Sequence, residues 1–309
     1  MKKVRDMLMA KDTEVSIEGK NVKLTNLNKL MWPEGLTKAH LLQYYTDIAP
    51  YLLPFIEGRP LVMKRYPNGI QGKFFYQKEC PSYAPEWVKI QPISHSEKTI
   101  NYIVCEDVAT LVWLANQGCI EVHALLSNKN NLECPDLSII DLDPGDEATF
   151  FDVLKVSKVV RQALEQLGLK GFPKTSGASG IHIFVPIEPI YNFKEVTKAM
   201  GFIAKLVTQA YPERATIERT LGKRAKDKVY VDYLQNTRGK SMAWTYSLRP
   251  LSGAPVSTPL IWEEIEKLDI IPEQFNINSI FNRLKLFGEL HREMFTLKQS
   301  LRRILEMTN

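Results

Sequence analysis

The chain has 309 residues, 44% hydrophobic and 24% charged, an ordinary globular composition with room for one large domain or two joined ones. No apolar run reaches the roughly 20 residues of a membrane span, and residues 1–11 scatter charges where a signal peptide needs an apolar core. The net charge of +5 is too mild to argue for a nucleic-acid partner by itself. Cys80, Cys105, Cys119 and Cys134 are widely separated and form no CxxC pair, so no structural zinc and no disulfide framework is expected. Reduced thiols in a cytosolic protein are the default.

In chain order, residues 12–25 read as two short strands around Val15 and Val22 that turn at Glu18-Gly19. Residues 24–38 are irregular. Thr37 is positioned to cap a helix running to about Ile48, with Pro50 discouraging its continuation. Residues 61–66 and 72–77 read as strands separated by Pro67-Asn68-Gly69. Phe74 and Phe75 are adjacent, so on a regular strand they face opposite ways, one entering the core. Residues 80–92 read as a Pro-rich loop packed by Trp87. A strand over 99–104 and a helix over 107–117 follow. In the strand 119–125, Ile120, Val122 and Ala124 share one face and Glu121 and His123 the other.

The run Ser138-Ile-Ile-Asp141-Leu-Asp143-Pro-Gly145 is the most informative stretch. Period two puts Asp141 and Asp143 on one side of a strand, about 6–7 Å apart. The Pro-Gly turn then ends the strand at a rim. Two acids so placed repel each other unless a cation intervenes, and Mg2+ or Mn2+ favours such oxygen ligands. A charged turn at a strand exit is the competing reading. A helix over 150–167 comes next, then strands over 171–175 and 181–185 joined by Ser176-Gly-Ala-Ser-Gly180. A helix over 193–211 and strands over 229–233 and 242–248 complete the middle of the chain. Residues 260–268 and 280–307 read as tail helices. The strands and helices alternate too irregularly for a doubly wound sheet. The expected class is α+β (mixed α/β), with an N-terminal subdomain and C-terminal helices.

A third acid, Asp232, sits in the apolar strand Val229-Tyr-Val-Asp232-Tyr233. A structural pair with a basic residue would satisfy it. If its strand lies beside that of Asp141, three carboxylates converge, and such a set can hold two cations about 3.5–4 Å apart for nucleotidyl transfer. A triphosphate then needs a seat. The glycine-rich turn 176–180 offers flexible backbone amides and hydroxyls for an anion nest, although the P-loop order is absent. A lone histidine near a turn is more often structural, but Lys174, Ser176, Gly177, Gly180 and His182 together favour phosphate binding. Eight basic residues lie between Arg219 and Arg249, opposed by Asp227 and Asp232. Among them Lys240 and Arg249 can add charge to phosphates. Near the N-terminus Lys23, Lys29, Lys38, Lys64 and Arg65 interleave with Trp32, Phe74, Phe75 and Tyr76, a pattern suited to stacking with phosphate contacts. Cys105 precedes Glu106-Asp107, a poor setting for a thiolate. A metal-dependent phosphohydrolase would also use clustered acids.

The stretches LTNLNKLMWPEGLTK, GRPLVMKRYPNG, FFYQKECPSYAPEW, DLDPG, KTSGASGIHIFVP and VYVDYLQNTRGK together resemble the polymerase domain of bacterial DNA ligase D and its stand-alone archaeal and bacterial homologues. These belong to the archaeo-eukaryotic primase superfamily and act in non-homologous end joining. The resemblance runs from Leu24 to about Pro259. It implies one primase-polymerase domain, with 12–95 as a DNA-binding part, 96–259 as catalytic core and 260–309 as helical tail. By the same resemblance Asp141, Asp143 and Asp232 match catalytic metal ligands for two Mn2+ or Mg2+ ions. Ser176 and His182 match contacts to the incoming triphosphate, and Lys240 and Arg249 look like further phosphate contacts. Phe74 and Phe75 look like the aromatic pair near the nucleotide and template base, and Lys29 and Lys38 match a pocket for a downstream 5′-phosphate.

The resemblance implies gap filling and end extension with a preference for ribonucleotides, in the cytoplasm and nucleoid of a prokaryote. No ligase or nuclease segment lies within these residues. A separate ATP-dependent DNA ligase and a Ku-like protein are therefore expected as partners, beside DNA ends, gapped DNA with a 5′-phosphate and nucleoside triphosphates. A primase, a metal-dependent phosphohydrolase and a non-catalytic end-binding protein are the alternatives.

Overall fold

Two sheets carry the side chains of interest in the computed structural model, which describes residues 13–308. The signal-peptide reading of residues 1–11 lies outside the described residues. The fold is mixed α and β, as expected. The chain divides into two compact units: residues up to Leu125 with Met242–Pro255, and Leu126–Ser241 with the chain from Val256 onward.

The first unit opens with the hairpin β1 (Thr13–Ile17) and β2 (Lys20–Leu24). Helix α1 (Lys38–Ile56) follows. Its length corrects the sequence expectation, since it runs through Pro50 and Pro54. A helical proline leaves the carbonyl four residues back unpaired. Here both prolines face solvent, so water can satisfy those carbonyls, while the opposite face buries Leu41, Tyr44, Tyr45, Ile48, Leu52 and Phe55. Each such burial contributes about 1.5–3 kcal/mol, together enough to outweigh a kink. Tyr45 anchors the helix by donating to the Ile120 carbonyl (2.5 Å) and accepting from the Leu248 amide (3.2 Å).

The sheet of this unit runs in the order β13 (Ser241–Ala243), β7 (Cys119–Leu125), β3 (Pro60–Arg65), β6 (Thr99–Val104), β5 (Lys89–Ser94), with β4 (Phe75–Gln77) pairing β3. Three expectations need correction here. The segment read as a loop over 80–92 ends in strand β5, whose Pro92 is tolerated because β5 is an edge strand. The strand expected over 72–77 is only three residues long. The one expected over 242–248 stops at Ala243, three residues before Tyr246 takes a left-handed φ of 64°. Helix α2 (Val108–Asn116) is capped by Asp107, which accepts from the Thr110 amide.

The second unit holds a five-stranded sheet in the order β11 (Ala215–Thr216), β12 (Val229–Asp232), β8 (Leu137–Pro144), β10 (Ile181–Pro186), β9 (Phe172–Thr175). Only β11 and β12 are parallel. Helices α3 (Phe150–Gln166) and α4 (Phe193–Ala210) pack against this sheet. Thr149 and Asn192 close capping boxes at their starts. The apolar residues of the strands (Ile140, Leu142, Ile181, Ile183, Val229 and Val231) join Val156, Val160, Met200 and Ile203 of the helices in one core. The tail helices α5 (Trp262–Lys267), α6 (Ile280–Phe287) and α7 (Arg302–Met307) belong to the same unit, and Ile265 and Ile304 join its core. No helix among the described residues is long and apolar enough to cross a membrane.

Candidate active site

Strand register builds the site of the second unit. His182 of β10 lies opposite Asp141 of β8, Asp232 of β12 lies opposite Asp141 on its other side, and Lys174 of β9 lies opposite His182. Residues opposite one another share a sheet face. Lys174, His182, Asp141 and Asp232 therefore form one row across four strands. Asp143, two residues on from Asp141, shares that face, with Tyr230 opposite. The intervening Leu142 faces the helices. The three acids named from the sequence thus sit together on the face the helices leave uncovered.

The row is linked laterally. Asp141 is 6% exposed, and its Oδ1 lies 3.3 Å from His182 Nε2. His182 Nδ1 lies 2.9 Å from Nζ of Lys174, which has no exposed surface. Lys174 also donates to Ser257 Oγ, which in turn donates to the Thr175 carbonyl (2.8 Å). A charged lysine has no lone pair, so Nζ donates and Nδ1 accepts. That arrangement leaves the imidazole proton on Nε2, facing Asp141. Ser257 reaches Lys174 because the segment around it pairs with β9, where Thr175 donates to the Thr258 carbonyl.

Asp232 is held from its own strand end. Its Oδ1 accepts from the Leu234 amide (2.8 Å) and the Tyr230 hydroxyl (3.3 Å), and its Oδ2 accepts from Gln235 (3.2 Å). Burial first, then the Asp232 charge, pushes the Tyr230 phenol up to about 12, so it stays a donor. The buried Asn236 side chain exchanges two hydrogen bonds with the backbone of Ile139, tying this segment to β8.

The 176–180 turn differs from expectation. It is not a loose set of amides, because Ser176 Oγ accepts from the Ala178 and Gly180 amides (both 3.1 Å). Gly180 is demanded by close approach, since a Cβ there would stand 2.4 Å from the Leu142 carbonyl. The turn is therefore ordered against β8, beside Asp143. Lys240 is exposed, after the 3-10 turn Leu234–Asn236. A cavity of about 920 Å³ in this unit is lined by Lys194, Lys198, Lys205, Tyr233 and Arg238, among others, and by none of the three acids.

Three carboxylates on one face fit a hard divalent cation by donor chemistry. Among the described residues, however, no three His, Cys, Asp or Glu side chains already converge on a common cation position. The Asp232 oxygens are engaged by Tyr230, Leu234 and Gln235. A carboxylate offers about four lone-pair positions, so Asp232 can keep such bonds and still ligate a cation.

In the first unit Lys29 and Lys38 line one pocket of about 160 Å³ with Thr25, Arg65 and Asn116. Lys38 is 6% exposed and donates to Thr25, and Lys29 donates to the Pro67 carbonyl. Phe74 and Phe75 correct the expectation of one core and one surface ring, for both are exposed. Strand β4 begins only at Phe75, so alternation does not govern Phe74, which stacks on Tyr66 (5.3 Å) beneath Lys64.

Arg249 leads to a buried cluster that the sequence did not bring together. Its Nε lies 3.0 Å from Glu121, a carboxylate with no exposed surface. Lys64 (2.5 Å), His123 (3.2 Å) and the Tyr66 hydroxyl (3.0 Å) complete the shell of Glu121. Burial alone would raise the Glu121 pKa. The hydrogen bond from His123, the charge of Arg249 and the hydrogen bond from Lys64 outweigh it, leaving the carboxyl at about 2. Burial holds His123 below its ordinary value. The neutral ring then donates from Nε2, leaving Nδ1 a buried acceptor with no partner among the described residues. Two polar residues alternating inside the apolar strand CIEVHAL were the available signal. Both buried cysteine thiols, Cys105 and Cys119, are pushed up by burial, which excludes thiolate chemistry there near neutral pH.

Residues 37–291 match the family model for the LigD primase-polymerase domain. The chain is 33% identical over 269 residues to the bifunctional non-homologous end joining protein LigD of Bacillus subtilis, covering 86% of this chain and 43% of that protein. It is 32% identical over 272 residues to the multifunctional LigD of Mycolicibacterium smegmatis, covering 87% of this chain and 35% of that protein. The chain thus spans less than half the length of these relatives. Among solved structures, the polymerase domain of Mycobacterium tuberculosis ligase D in complex with DNA superposes with a TM-score of 0.84 at 30% identity, covering 90% of this chain and 99% of that one.

Proposed function

The chain belongs to the LigD primase-polymerase domain family, and from that premise we propose that it is a template-directed nucleotidyltransferase that fills gaps and extends DNA ends in non-homologous end joining, with ribonucleotides preferred. The observation that carries this reading is the register that sets Asp232 beside Asp141, with Asp143 two residues on along the same face. The primer 3′-hydroxyl attacks the α-phosphate of a bound nucleoside triphosphate and pyrophosphate leaves. Divalent cations, Mg2+ or Mn2+, held by Asp141, Asp143 and Asp232 would supply charge neutralisation to the reacting oxygens.

The chain's own residues do the rest by positioning. His182, its tautomer set by Lys174 and its Nε2 proton turned toward Asp141, lies beside the acids as a contact for the incoming triphosphate. Ser176 keeps the 176–180 turn in one shape as the triphosphate arrives. Lys240 and Arg249 add positive charge to phosphates. Phe74 and Phe75 offer exposed faces for stacking on a base, and Lys29 with Lys38 grips a downstream 5′-phosphate. On this reading 12–95 is the DNA-binding part, 96–259 the catalytic core and 260–309 the tail. The partners are DNA ends, a Ku-like protein and an ATP-dependent ligase activity, and the setting is the prokaryotic cytoplasm.

The test compares primed, gapped and unprimed DNA, with ribo- and deoxyribonucleotides, under Mg2+ and Mn2+ separately. Expected is metal-dependent incorporation on primed and gapped DNA with pyrophosphate released. Synthesis on unprimed template would make the protein a primase, release of phosphate a phosphohydrolase, and DNA binding without incorporation an end-binding protein.

A further inference from the structure

The outer face of α4, in the second unit, carries charge of one sign. Lys194, Lys198 and Lys205 recur at helical spacing, so they share a face, and all three are exposed. The neighbouring α3 balances its cations within the unit: Arg161 pairs with Glu165 and Glu266, and Lys158 with Glu266. Helix α4 has a single acid, Glu195, and that carboxylate is turned back to the Asn192 amide at the cap. The three lysines line the cavity of about 920 Å³, together with Arg238 and Glu133. Gly201 and Tyr233 line it too. A Cβ on Gly201 would stand 3.0 Å from the Tyr233 ring, so the glycine is what lets that ring lie against α4. Phe202 and Leu234, both half-buried, add apolar lining. Tyr233 packs on the core shared with the helices. The cavity therefore belongs to the helix layer and not to the sheet face of the three acids.

We propose that this groove docks an acidic, extended segment of a partner protein that carries one bulky apolar side chain. An apolar lining bordered by cations matches a chain in which carboxylates flank a hydrophobic anchor. From Lys194 to Lys205 the helix advances eleven residues, a rise of about 16 Å. That is the length of about five extended residues. The chain itself shows the chemistry: Glu133 accepts from Arg238 at 2.5 Å, with both side chains more than half exposed. A carboxylate thus already occupies the arginine, and an incoming one displaces it. Single-stranded nucleic acid would meet the same cations, but it also needs open aromatic faces for its bases, and the Tyr233 ring is laid on α4.

Fluorescence anisotropy on the full chain tests this, with a labelled peptide of glutamates around one central leucine as the probe. Wild type is expected to bind the peptide at low ionic strength and to release it as salt is added. Lys194→Glu combined with Lys205→Glu should weaken binding at least about tenfold, and both lysines are exposed, so the fold is not at stake. Glu133→Gln removes the internal carboxylate from Arg238 and should tighten binding about threefold. Serine in place of the central leucine of the probe should weaken it about fivefold. Gap filling by the double lysine variant should equal that of wild type. No binding by wild type, binding indifferent to the two lysines, or weaker binding by Glu133→Gln would overturn the proposal. So would labelled oligothymidylate that competes with the peptide and loses affinity in the same lysine variant, which would make the groove a path for single-stranded nucleic acid. A loss of gap filling in that variant would equally overturn it, by tying the cavity to polymerisation.

Discussion

In the first unit one carboxylate, Glu121, collects cationic and donor groups. In the second, three carboxylates are collected on one sheet face, where the row supplies His182 and, behind it, Lys174. The first arrangement is complete within its own unit and should be felt as stability. Carboxylates brought together repel, so the second costs stability and gains its value when a cation arrives. The contrast teaches that clustered charge has two uses, told apart by whether the neutralising groups are built into the chain.

The comparison breaks most visibly at the acids. Asp141→Ala and Asp143→Ala should each lower metal-dependent incorporation by at least about a thousandfold, with a melting temperature equal to or above that of wild type. Normal extension by either metal-replete variant, or a collapse of its melting temperature, would erase the distinction. Glu121→Ala is the mirror image. Removing one partner of a buried ionic cluster costs about 3–5 kcal/mol, and equilibrium denaturation should record that loss.

The pH dependence sharpens this. The Glu121 carboxyl is lowered from 4.5 unfolded to about 2 folded, so its contribution is full above about pH 4.5 and fades as pH falls toward 2. Such a shift is worth about 3 kcal/mol by linkage. Between pH 5 and 2 the wild type should therefore lose more stability than Glu121→Gln; parallel curves would contradict the assignment. Smaller effects follow. Lys174→Met keeps the volume but frees the His182 tautomer, and should slow incorporation about tenfold; an unchanged rate would remove Lys174 from the site. Lys29→Ala with Lys38→Ala should leave unphosphorylated gaps filled as before while cancelling the advantage of a 5′-phosphate, about tenfold for a charge-assisted contact. An advantage retained in that variant would end the phosphate role of the pocket.

Much of the second unit's sheet was legible because its signals are local. SIIDLDPG carries its own period and its own stop, and the helices expected over 150–167 and 193–211 form at Phe150–Gln166 and Phe193–Ala210. What escaped depends on partners distant in sequence. Nothing local says that Lys174, His182, Asp141 and Asp232 share a row, since register is decided by which faces are buried across four strands. Nothing near Glu121 announces Arg249, 128 residues later. Local rules also misled where tertiary packing overrode them. Pro50 did not end α1 because its face is solvated, and Phe74 did not alternate with Phe75 because β4 is too short to impose a period.

The central claim is that the sheet face of the second unit is built to receive divalent cations through Asp141, Asp143 and Asp232. Titration of Mn2+ followed by electron paramagnetic resonance tests it most directly, with wild type, Asp141→Ala and Asp232→Ala at matched melting temperature. The account predicts loss of the free Mn2+ signal on wild type, much weaker uptake by Asp141→Ala, and weakened uptake by Asp232→Ala. Equal Mn2+ binding by all three proteins would contradict it.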